Sequence, residues 1–161
     1  LIIQFDMKDE EKKVIIALYG DQNTGKSTTL RHLIERLGGK EKGDDPVAIN
    51  DYNHEGKRIV VAPAGDDGEV VRKNVDFFKE VKGDILVIAT RERYNYQEEE
   101  KCSAKALESY AEELHTMPIW IHSSDANLSE KHQKYQELID EGLAKTIQSV
   151  IDQIITDWEK E

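Results

Sequence analysis

Val14-Ile15-Ile16-Ala17-Leu18-Tyr19-Gly20-Asp21-Gln22-Asn23-Thr24-Gly25-Lys26-Ser27-Thr28 changes character at Gly20. Up to Tyr19 it is an apolar run rich in β-branched residues, the pattern of a buried strand. From Gly20 it becomes a turn whose last residues open a helix near Lys26, and Leu30, Leu33, Ile34 and Leu37 continue that helix at its own spacing until Gly38-Gly39 ends it. The spacing of the turn has a physical reason. Successive backbone N–H groups can point inward around an anion only if the chain adopts angles and approaches that side chains obstruct, so glycines stand at both ends of the loop. The helix that follows aims its free N–H groups and the positive end of its dipole at the same point.

Gly20-x-x-x-x-Gly25-Lys26-Ser27 is the phosphate-binding P-loop signature, and a strand before it with a helix after it is the context the signature requires. In that reading Lys26 reaches the β- and γ-phosphates and the Ser27 hydroxyl helps to hold Mg²⁺, while Asp21, Gln22, Asn23, Thr24 and Thr28 complete the cradle. A glycine-rich turn that binds nothing is the alternative, and strand, loop, Lys-Ser and helix together weigh against it.

The chain has 161 residues, enough for one domain with a core and too few for two. Its net charge of −11, from 22 basic and 33 acidic residues, works against a nucleic acid or an anionic membrane as the main partner. No apolar run is long enough to span a membrane and no signal peptide is evident, so the expectation is a soluble, cytoplasmic protein. The single Cys102 reads as a free thiol. Residues 1–13 read as an edge or disordered segment, with Met7 as a native start.

Beyond the first helix, Val47 to Tyr52 and Arg58 to Ala62 flank a turn at Asn53 to Lys57 and predict an antiparallel hairpin. Pro63-Ala64-Gly65-Asp66-Asp67-Gly68 follows, and then a helix carrying Val70, Val71, Val75, Phe78 and Val81. An acidic residue at such a strand end completes a Mg²⁺ shell or orients the attacking water, whereas an Asp there also serves as a helix N-cap. Asp66 is assigned to the metal and Asp67 to the cap, and both stay candidates for the chemistry. Asp84 to Ala89 predicts a central parallel strand. Arg91 and Arg93 beyond it either clamp phosphate or pair with Glu98 to Glu100 in a solvated loop. A helix from about Glu98 to His115, a last strand over Met117 to His122 and a long helix from Leu128 to Glu161, weakened at Gly142, complete the chain. The fold class is α/β, a three-layer α/β/α stack on a mostly parallel sheet with one antiparallel hairpin strand.

This order of elements resembles the Ras-like P-loop GTPases, over nearly the whole chain but at motif level only in the P-loop. Where that family carries Asp-x-x-Gly after the hairpin, this chain has Ala62-Pro63-Ala64-Gly65, so Asp66 would act from a shifted position. Where the family reads guanine with Asn/Thr-Lys-x-Asp, this chain has Ser124-Asp125-Ala126-Asn127, and the Asn127 amide lacks the charge that a base-reading carboxylate brings. The chain is also similar to small uncharacterised bacterial P-loop proteins with a Gly-Asp-Asp loop and a later Asn, here Gly65-Asp66-Asp67 and Asn74. The resemblance implies a nucleoside triphosphate as ligand, ATP favoured over GTP, with Mg²⁺ as cofactor and hydrolysis at the P-loop. A homo-oligomer or protein partner would supply a missing arginine. Two alternatives remain: a small-molecule or nucleotide kinase with Arg91 and Arg93 anchoring the acceptor, and a nucleotide-dependent switch with little hydrolysis.

Overall fold

Residues alternate across the first strand, β1 (Val14–Tyr19), so that Ile16 and Leu18 enter one apolar cluster and Ile15 and Ala17 enter another. A strand buried on both faces needs helices on both sides, and the chain supplies them. The computed structural model describes residues 12–20, 25–91, 102–123 and 133–161. Within them, β1 is followed by α1 (Lys26–Arg36), β2 (Val47–Tyr52), β3 (Lys57–Ala62), α2 (Gly68–Glu80), β4 (Ile85–Thr90), α3 (Ser103–Glu113), β5 (Ile119–His122) and α4 (Gln133–Glu159). The strands form one sheet in the order β2-β3-β4-β1-β5, with β2 antiparallel to β3 and every other pairing parallel.

Helices α1 and α4 pack together on the face of Ile16 and Leu18, where Leu30, Leu33 and Ile34 meet Ile147, Ile151 and Ile155. The stripe on the long C-terminal helix is therefore core. Opposite, Val71, Val75 and Phe78 of α2 join Leu107, Tyr110 and Ala111 of α3 over Ile15, Val60 and Leu86. All six residues of β4 are buried, as its central place between β3 and β1 requires. Gly142 lies within α4 without ending it. Towards the far end of the sheet, the Tyr52 hydroxyl donates to Asp152 Oδ1 at 2.7 Å and ties α4 to the edge strand β2. No helix among the described residues is long and apolar enough to cross a membrane.

Two helices start on side-chain caps. Buried Cys102 precedes α3, and its sulfur accepts from the Lys105 N–H at 3.3 Å. Asp67 precedes α2 in extended conformation and accepts from the Val70 N–H at 2.9 Å, satisfying a donor that the first turn would leave without a partner. Replacing Asp67 by alanine is expected to cost about 1 kcal/mol, read as a lower urea midpoint with an unchanged slope.

Candidate functional site

Because β1, β3, β4 and β5 are mutually parallel, the loops that leave their carboxyl ends gather at one edge of the sheet. The chain turns from β1 and β5 onto the face of α1 and α4, but from β3 and β4 onto the face of α2 and α3. The two sets part between the neighbours β1 and β4. A split of this kind opens a crevice outside the strand ends, the place where open α/β sheets hold ligands. The loop from Gly20 to Lys26 begins there.

Gly25 is in the left-handed region, with φ 80° and ψ 12°, and stands at the N-cap of α1 without a side chain of its own to cap it. The Lys26 ammonium folds back to donate to the Gly20 carbonyl at 2.5 Å, so the lysine spans the loop from its last turn to its first residue. Ser27 Oγ donates to the Pro63 carbonyl at 3.1 Å. That bond commits the hydroxyl proton to protein and leaves the oxygen's lone pairs for another partner. It also brings the loop after β3 beside α1, although β4 separates β3 from β1 in the sheet.

The crossing is possible because residue 65 is glycine. A Cβ built there would lie 1.6 Å from the Ala89 carbonyl oxygen, so the chain leaving β3 passes directly over the end of β4. Asn74, buried on α2, fixes the same loop by donating from Nδ2 to the Ala64 carbonyl at 2.8 Å. Asp66 is thereby held out from the loop with its carboxylate exposed, at the rim of a cleft of about 540 Å³ shared with Asp44, Pro46 and Asn74. Asp67 is occupied by its capping bond.

Arg91 leaves the end of β4, its N–H held by Ser103 Oγ at 2.8 Å. Its Nη2 lies 3.6 Å from Asp66 Oδ1. Among the described residues its Nε, which is buried, has no hydrogen-bond partner. Among the described residues the acidic partner of this arginine is Asp66 of the neighbouring loop; Glu98 to Glu100, the pairing considered from the sequence, lie outside the described residues. The same is true of Asp21, Gln22, Asn23, Thr24, Arg93 and Asn127. Of the candidates, the structure joins Lys26 to Gly20 and Asp66 to Arg91, links Ser27 to the loop that carries Asp66 through the Pro63 carbonyl, and leaves Thr28 exposed on the first turn of α1.

One residue of the site went unread in the sequence. Asp140 of α4 is buried, and its Oδ1 and Oδ2 lie 2.5 and 2.9 Å from the position a Cβ would take on Gly25. Counting back along the buried stripe of α4 from Ile155 through Ile151, Ile147 and Ala144 leads to Asp140, so a carboxylate on an apolar stripe was the available signal. Burial raises its pKa above the ordinary carboxylate value, against the hydrogen bond from Gln136, the charge of His32 and the Thr29 hydroxyl, which lower it; Glu137 adds a smaller upward push.

Comparison with family models, with curated proteins and with solved structures gives no match to this chain. Among the described residues no group of three or more His, Cys, Asp or Glu could hold a metal ion by itself.

Proposed function

We propose that the chain binds a nucleoside triphosphate with Mg²⁺ at the loop from Gly20 to Thr28, with ATP preferred to GTP, and hydrolyses it to diphosphate and phosphate. The observation that carries this reading is the coincidence of a Gly-x-x-x-x-Gly-Lys-Ser turn, its lysine folded across the loop, with the crevice where the sheet's connections part. The three-layer fold is then that of a P-loop NTPase.

The donor set suits a hard cation. Ser27 offers a hydroxyl oxygen whose proton is already engaged, and Asp66 offers an exposed carboxylate from the loop that Ser27 touches. Mg²⁺ there would neutralise charge on the phosphate oxygens. The Asp66–Arg91 pair matches this division of labour: the carboxylate suits the cation, and the planar guanidinium suits the γ-phosphate oxygens. Lys26 would exchange the Gly20 carbonyl for β- and γ-phosphate oxygens, and the first N–H groups of α1 would hold the rest of the charge. Water attacks the γ-phosphorus, the bond to the bridging oxygen breaks, and the water proton passes to the phosphate released. The preference for ATP rests on Asn127 and Asp125 standing where a guanine-reading loop carries Asp and Lys.

Incubating the protein separately with Mg-ATP and Mg-GTP and measuring phosphate release tests the reading directly. Tight binding without release would replace hydrolysis by a switch, and release only with an added acceptor would replace it by a kinase. Asp66→Ala is expected to lower phosphate release about tenfold while nucleotide binding without metal stays close to wild type. Unchanged release and metal dependence would take Asp66 out of the site.

A further inference from the structure

We infer that Asp140 is a positioning residue of the phosphate loop: a carboxylate built in behind Gly25 that fixes the loop's last glycine from α4 and restrains its affinity for a triphosphate through like charge. The inference rests on the reading of Gly20 to Thr28 as a phosphate site and deepens it.

Three observations meet at this carboxylate. It fills the space that any side chain at position 25 would need, with its Oδ1 at 2.5 Å from that Cβ position, so Gly25 answers to α4 as well as to its own left-handed backbone. It is 4% exposed, so its charge is weakly screened. It lies against the N-cap of α1, the helix end that would also face the phosphates. Gln136 donates to its Oδ1 at 2.8 Å and holds it in this pose from one turn earlier on α4. His32 and Thr29 face it from α1, and Glu137 adds negative charge from α4. A buried anion at that helix end already takes up part of the field that a bound phosphate would use. Each further negative charge on the ligand then meets more repulsion.

The test is isothermal titration of the full chain at low ionic strength with Mg-ATP, Mg-GTP and the corresponding diphosphates. Asp140→Asn keeps the shape and removes the charge. It is expected to tighten triphosphate binding about threefold or more, with a smaller gain for diphosphate. A packing role would not sort ligands by charge. Gly25→Ala is expected to weaken binding at least about tenfold, and adding Asp140→Ala to it should restore more affinity than the two single changes predict. An Asp140→Asn affinity within twofold of wild type, an equal gain for both ligands, or strictly additive effects in the Gly25 and Asp140 pair would each overturn the inference. If Gly25→Ala does not fold, the Asp140→Asn comparison decides alone. A wild type that binds neither nucleotide removes the phosphate-site reading and this inference together; a wild type that binds, with Asp140→Asn unchanged, removes this inference only.

Discussion

Lys26→Ala is expected to lower affinity for the preferred Mg-nucleotide about 100-fold, roughly 3 kcal/mol, the scale of a charge-assisted contact to phosphate. The ammonium sits on the Gly20 carbonyl, a neutral acceptor that a phosphate oxygen would readily replace, so it would reach the proposed ligand with little rearrangement. Alanine removes the only cation that the Gly-x-x-x-x-Gly-Lys-Ser signature supplies. Thermal unfolding gives a second reading. Nucleotide at 100 times its dissociation constant should stabilise wild type by about 2.7 kcal/mol, raising the midpoint by about 5 °C or more, whereas the same concentration, about one dissociation constant for the variant, should stabilise the variant by only about 0.4 kcal/mol. Equal shifts in both proteins would place the nucleotide elsewhere.

Gly65→Ala is expected to be the most destabilising small substitution in the molecule, at about 3 kcal/mol or more in urea unfolding. The methyl would meet backbone, with the Ala89 carbonyl oxygen at 1.6 Å, its carbon at 2.4 Å and the Thr90 nitrogen at 3.1 Å. Those atoms end a central strand hydrogen-bonded between two neighbours, so they have no free direction in which to yield. Relief must come from the chain leaving β3, and its displacement would carry Pro63 away from Ser27 and Asp66 away from Arg91. Nucleotide affinity should therefore fall with stability. Gly142→Ala is the comparison: nothing lies within 4 Å of a Cβ there, the site is exposed in mid-helix, and a gain of about 0.5–1 kcal/mol is expected. A small effect at Gly65 would mean that the loop crosses β4 less closely than described.

The elements of the fold were legible where periodicity is strong. β1, α1, the hairpin and β4 lie where their apolar patterns put them, because a two-sided strand and a one-sided helix write different periods into the chain. α3 begins at Ser103 behind its Cys102 cap, later than the pattern starting near Glu98, because the Cys102 backbone is extended; the described part of α4 begins at Gln133, and residues 124–132 before it lie outside the described residues. Strand neighbours were not legible. That β4 stands between β1 and β3 follows from long-range packing, and the carry of Pro63 to Asp66 over β4 depends on one glycine whose sequence neighbourhood looks like any loop. Within the site, the capping role of Asp67 could be read from its place before a helix, whereas the partner of Arg91 and the contact of Asp140 with Gly25 join residues far apart in the chain.

The strand order also sets a timetable for synthesis. β1 leaves the ribosome well before its partners β4 and β5, Val14 pairing beside Ile85 and Ile16 beside Ile119, and α1 finds its main helical neighbour in α4, more than 90 residues further on. A nascent chain can close the β2-β3 hairpin from local contacts, yet the centre of the sheet waits for residues made much later. The first strand and the loop that follows it are thus translated long before they have walls. Until α4 emerges, Leu30, Leu33 and Ile34 are apolar surface exposed to the cell, so a chain truncated before α4 should depend on chaperones far more than the full one.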